Sequence, residues 1–166
     1  RDCLLSRGLG DVYKRQTNYS MLQKQLAALI EDESNLIAIL SNSSALLNDN
    51  LDQINWVGFY LIEHGELILG PFQGHPACVH IAIGSGVCGT AVEQDETQVV
   101  ADVNAFPGHI ACDANSKSEI VVPIHVNNEV IGVLDIDAPI LNRFDDNDKQ
   151  QLEQVVTIIE DQLNKK

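Results

Sequence analysis

Three observations predict an α+β fold. Apolar residues alternate on both sides of two turn signals, amphipathic helical patterns stand at both ends of the chain, and no strand–helix–strand series is present to build a parallel sheet. The expected arrangement is a central antiparallel sheet with the N- and C-terminal helices packed on one face. The other face is left for a ligand pocket roofed by the middle loop.

From Tyr19 to Leu47, apolar residues recur at helical spacing: Leu22, Leu26, Leu29 and Ile30, then Leu36, Ile37, Leu40 and Leu47. The acidic run EDES interrupts them, so the pattern predicts two helices with a break near Asp32 to Ser34. INWVGFYLIEHGELILG carries β-branched and aromatic residues around His64-Gly65 and reads as a hairpin. CVHIAI is expected as a third strand with Cys78 at its start, GVCGTAVEQ as a short helix, and TQVVAD as a fourth strand or extended segment.

Val103 to Lys117 is polar, turn-rich and without periodicity. A loop of about fifteen residues inside a compact domain is usually functional. EIVVPIHVNNEVIGVLDIDA then predicts a second hairpin through Asn127-Asn128. The last helix is expected to be capped by Asp145 or Asp146 and to bury Leu152, Val155, Val156, Ile159 and Leu163.

A chain of 166 residues that is 45% hydrophobic suits one domain, here residues 17–166. Residues 1–16, RDCLLSRGLGDVYKRQ, resemble translated sequencing-adapter read-through and are expected to be a non-native extension that takes Cys3 with it. A formal net charge of −14, spread along the chain, repels phosphate backbones and anionic lipid, so nucleic acid and membranes are poor partners. Without a signal peptide or membrane-spanning run the expected location is the cytoplasm, where cysteines are thiols, ligands or catalytic groups.

Cys78, Cys88 and Cys112 remain, and each can be a small buried hydrophobe, a ligand or a nucleophile. Cys88 opens a helix, whose free amides could lower its pKa. HPAC and HIAC pair His75 with Cys78 and His109 with Cys112, formally a Cys2His2 zinc set, although neither has the tight glycine knuckle of structural zinc. Gly84, Gly86 and Gly89, with Asp102 beyond, spell G-x-G-x-x-G. The helix is too short for a dinucleotide crossover, so the plainer reading is a turn and a closely packed helix.

Asp135 and Asp137 alternate with Leu134 and Ile136, so the two acids share one face of a strand. Glu119 can join them from the preceding strand. Such crowding suits an ammonium group and raises the pKa of at least one member. Trp56 and Tyr60 also share a face and offer an aromatic wall to something cationic or polarisable.

NWVGFYL, LGPFQGHPACVHI, GVCGTAV, GHIACDANSKSEIVVPI and IGVLDIDAP together resemble the free methionine-R-sulfoxide reductases, enzymes built on a GAF domain, over about residues 17 to 163. His75-Pro76 departs from the family pattern. The resemblance implies that Cys112 attacks the sulfoxide sulfur and becomes a sulfenic acid, while Cys78 resolves it as a disulfide that thioredoxin reduces. Cys88 matches a third family cysteine, which has also been assigned the first attack. Glu119 would protonate the sulfoxide oxygen, Asp135 and Asp137 would hold the substrate ammonium, and Trp56 and Tyr60 would enclose the methyl-sulfinyl end.

The resemblance also implies no metal or organic cofactor, since electrons come from NADPH through thioredoxin, and a homodimer paired through terminal helices. The alternative is a non-catalytic GAF sensor of small ligands; a zinc-binding interaction module is a third reading.

Overall fold

The structure, a computed structural model, describes residues 17–109 and 112–165; the proposed extension and Cys3 lie outside them. Helices α1 (Tyr19–Ile30) and α2 (Leu36–Asn50) lead into strands β1 (Trp56–Glu63), β2 (Glu66–Gly74) and β3 (His80–Ala82). Helix α3 (Gly86–Gln94), strand β4 (Gln98–Val100) and a 3-10 turn at Val103–Ala105 follow. Strands β5 (Ser118–Val126) and β6 (Glu129–Ala138) and helix α4 (Asp146–Leu163) complete the domain.

The helix boundaries follow from side chains that satisfy free backbone amides. Asn18 caps α1 by accepting from Met21 N, and Asn35 caps α2 by accepting from Ala38 N. Between them Glu33 folds back to accept from the amides of Ser34 and Asn35, which is how EDES ends one helix before the next begins. Asp145, one of the two expected caps, forms a reciprocal capping box with Asp148. Asp148 also accepts from the Tyr19 hydroxyl at 2.6 Å and from Arg143 at 3.2 Å, which ties α1 to the start of α4.

Both expected hairpins form. His64 and Gly65 have φ of 52° and 83°, and Asn127 and Asn128 have φ of 53° and 64°, the left-handed pair that matches the twist of two-residue hairpins. The hairpins join into one six-stranded sheet of order β3-β2-β1-β6-β5-β4 because β1 and β6, distant in sequence, pair antiparallel in the middle.

Helices α1, α2 and α4 cover one face of the sheet with a core that includes Leu22, Leu26, Ile39, Leu40, Leu152, Val155 and Ile159. Each such side chain, removed from water, contributes about 1.5–3 kcal/mol before the entropy of ordering it is set against the gain. Leu163 is only partly buried at the edge of this core. The opposite face carries α3 and a second cluster around Trp56, Tyr60, Val87 and Cys88.

Two expectations about strands are corrected. β2 runs on through Pro71 and Phe72 to Gly74, and β3 shrinks to His80–Ala82. Cys78 therefore lies in the β2–β3 connection, where Leu69 N reaches Val79 O at 2.9 Å and turns the chain before β3 begins. The glycine triplet has the plain role: Gly84 and Gly86 take positive φ, and a Cβ on Gly89 would collide with the carbonyl oxygen of Ala82.

Candidate active site

Strand alternation decides which side chains reach the pocket. On β6, Asp135 and Asp137 point away from the terminal helices, and register pairs Glu119 of β5 with Asp137 and Trp56 of β1 with the same residue. Trp56 and Tyr60, four apart on β1, stack with ring centroids 5.9 Å apart, and Phe72 extends the stack at 5.2 Å from Trp56. The first turn of α3 brings Cys88 over the acids. Cys112, ahead of β5, joins them.

These groups line one cleft that opens to solvent. Of the eight side chains singled out from the sequence, seven line it: Trp56, Tyr60, Cys88, Cys112, Glu119, Asp135 and Asp137. The eighth, Cys78, is joined to Cys112 by a disulfide with Cα atoms 5.4 Å apart. The two sulfurs are thus bonded to each other, and His75 does not line the cleft, so the pairs HPAC and HIAC do not assemble a Cys2His2 set in this structure.

The acids are buried together, with Glu119 and Asp135 each 6% exposed. Burial, then the charges of Asp135 and Asp137, push the Glu119 carboxyl well above the usual range. Burial, then the charges of Asp135 and Asp113, do the same to Asp137. Burial also raises Asp135, but hydrogen bonds from Glu119 and Cys88 oppose it and hold it at about 6. Glu119 therefore holds its proton more tightly than an ordinary carboxyl, which suits it to the role of proton donor.

A GAF domain family model matches residues 34–163. The free methionine-R-sulfoxide reductase of Escherichia coli is 53% identical over 142 residues, covering 86% of this chain and 86% of that protein. The chain belongs to the GAF-domain family of free methionine-R-sulfoxide reductases. The structure of fRMsr of Staphylococcus aureus in its reduced form is similar at a TM-score of 0.88 and 75% identity, over 90% of this chain and 97% of that one. The free methionine-R-sulfoxide reductase of Neisseria meningitidis, solved in complex with its substrate, is similar at a TM-score of 0.84 and 42% identity, over 87% of each chain.

Within this reductase fold one sequence expectation fails. The position of Cys88 at the start of α3 suggested a lowered thiol pKa, yet the thiol is 4% exposed, and burial, with the charges of Asp135 and Glu119, pushes it well above its ordinary value. A helix terminus lowers a thiol pKa by fractions of what full burial against two carboxyls adds.

Sequence reasoning also missed how the cysteines are held. The Tyr60 hydroxyl donates to the Cys78 carbonyl at 2.9 Å, and Trp56 Nε1 donates to the His75 carbonyl at 3.1 Å. The pocket's aromatics thus clamp the segment that carries Cys78, and they do so through backbone oxygens, so the unusual His75-Pro76 pair leaves the clamp intact. On the other side Asn55 Nδ2 donates to Asp113 Oδ2 at 3.0 Å and to Ser116 Oγ at 3.1 Å, anchoring the chain just after Cys112. The one signal available was Asn55 itself, a polar residue directly before an apolar strand.

Proposed function

We propose that this protein reduces free L-methionine (R)-sulfoxide to L-methionine, using its own thiols as the immediate reductant. The observation that carries the proposal is the Cys78–Cys112 disulfide at the mouth of a cleft whose closed end holds a protonated acid. Family membership supplies the substrate class.

The atoms balance as one sulfoxide and two thiols going to one sulfide, one disulfide and water. The Cys112 thiolate attacks the sulfoxide sulfur while Glu119 gives its proton to the oxygen, a poor leaving group until protonated. Oxygen passes to Cys112 as a sulfenic acid and methionine leaves. Cys78 then attacks the Cys112 sulfur and expels that oxygen as water, before further oxidation can occur.

Cys88 is the weaker candidate for first attack because burial keeps its thiol protonated; its place beside Asp135 and Glu119 suits a group that shapes the acid cluster. Asp135 and Asp137 hold the substrate ammonium, and the Trp56–Tyr60 wall receives the methyl-sulfinyl end. No metal or organic cofactor takes part in the electron flow.

Thioredoxin reopens the disulfide by exchange, with NADPH as the distal source. This chemistry suits a reducing compartment such as the cytoplasm, and among the described residues no helix is long and apolar enough to cross a membrane. A homodimer paired through the terminal helices is the assembly we propose.

The test is NADPH oxidation coupled through thioredoxin and its reductase, with the R and S epimers offered separately. Turnover of the R epimer alone is expected. Failure on both, with a small dithiol replacing thioredoxin as well, overturns the activity. Turnover with the dithiol only overturns thioredoxin as the recycling partner.

A further inference from the structure

The closed end of the cleft holds a second chemical opportunity. Cys88 Sγ and one carboxylate oxygen each from Glu119 and Asp135 lie within 4.8 Å of one another, and all three residues are buried. Asp135 supplies the independent pointer to a ligand. Its residue is 6% exposed, it lines the cleft, and its Oδ1 accepts no hydrogen bond within the described residues. A buried carboxylate oxygen without a donor costs about 1–3 kcal/mol or more, which a bound cation would recover.

We infer that Cys88, Glu119 and Asp135 form a binding site for a thiophilic divalent cation of the zinc class, and that its occupancy blocks the cleft to substrate. The donor set is the Cys88 sulfur and the Glu119 and Asp135 carboxyl oxygens, and the protons held on Cys88 and Glu119 pass to solvent as the ion binds. Zinc takes sulfur at about 2.3 Å and carboxylate oxygen at about 2.0–2.2 Å, so the ligand atoms of a tetrahedral site lie roughly 3.4–3.6 Å from one another. From a spacing within 4.8 Å, side-chain movements of roughly 1 Å bring the three atoms to that geometry. Magnesium and calcium, which need a larger shell of oxygens, are excluded by the sulfur and by the small number of ligands. Cys88, Glu119 and Asp135 all line the cleft, so an ion held between them stands in the space the substrate would need.

The inference is independent of catalysis, because binding to the oxidised protein requires no turnover. In that form Cys78 and Cys112 are bonded to each other and offer no thiolate. Metal-free, full-length oxidised protein is titrated with Zn2+ against a chromophoric chelator while emission from Trp56, the only tryptophan, is followed.

The expected result is one zinc per chain, a change in Trp56 emission, and no response to Mg2+. Cys88→Ser and Asp135→Asn should each weaken binding by about tenfold or more. Where a variant fails to fold, the wild type decides: zinc should slow modification of Cys88 by a small thiol reagent, read by peptide mapping. Absence of stoichiometric zinc in the folded wild type, wild-type affinity in both variants, or unchanged labelling of Cys88 would each overturn the inference.

Discussion

On β6, Leu134 and Ile136 are fully buried against the terminal helices, while Asp135 and Asp137, alternating with them, face the cleft. One strand therefore serves two environments, separated only by the pleat. On the helix side the buried polar side chains Ser43, Ser44 and Gln162 each donate to a backbone carbonyl. The pocket face instead crowds like charges, buries a thiol, and leaves Asp135 Oδ1 and Asn55 Oδ1 without donors. Stability is concentrated on one face and reactivity on the other.

Substitutions can separate the two faces. The largest effect expected is at the mouth of the cleft: Cys112→Ser should abolish sulfoxide reduction, whereas Cys78→Ser should release about one methionine per chain in a rapid-quench assay and then stall. Equal multiple-turnover rates in both would remove the division of labour. Next, Glu119→Gln should lower kcat by about 10²–10⁴-fold with a much smaller change in KM, and an effect on KM alone would exclude the acid role.

On the helix face Leu134→Ala should cost about 2–5 kcal/mol in urea unfolding while kcat of the folded fraction is unchanged. If kcat fell as well, the two faces would be coupled more tightly than the sheet suggests.

The pH dependence sharpens the comparison further. In the folded, substrate-free protein Asp135 holds its proton up to about pH 6, above its unfolded value, so the unfolded chain binds fewer protons through that interval. Stability from this group is present at low pH and is lost as pH rises from about 4 to about 6, by on the order of 3 kcal/mol. Unfolding free energies of wild type and Asp135→Asn should converge or cross over that window, and parallel curves would mean the carboxyl is not perturbed. The smallest effect is at the α4 cap, where Asp145→Ala should lower stability by about 1 kcal/mol and leave kinetics alone.

Local features were legible in the sequence because local physics sets them. The capping aspartate of α4, both hairpin turns and the shared face of Asp135 and Asp137 all follow from spacing within a few residues. Pairing of β1 with β6 was not legible, since nothing local chooses the partner of a central strand. Cys88 was misjudged for the same reason: its helix position is written in the sequence, while its burial against the acids comes from how α3 packs on β5 and β6. Cys78 was assigned to a strand because CVHIAI is mostly apolar, yet the chain turns at Val79 to meet Leu69. The roles of Asn55, Asp113 and Ser116 arise from contacts across some sixty positions and leave no periodic trace.

The disulfide closes a loop spanning 34 positions. By chain entropy alone such a cross-link stabilises the folded state by about 3.8 kcal/mol relative to the open dithiol. In the cycle proposed above, each turnover therefore moves the molecule between a tied form and an untied one whose resistance to unfolding differs by an appreciable part of a small domain's total. A cell rich in oxidised methionine would hold more of the population tied, and so better protected from proteases and heat while its workload is highest.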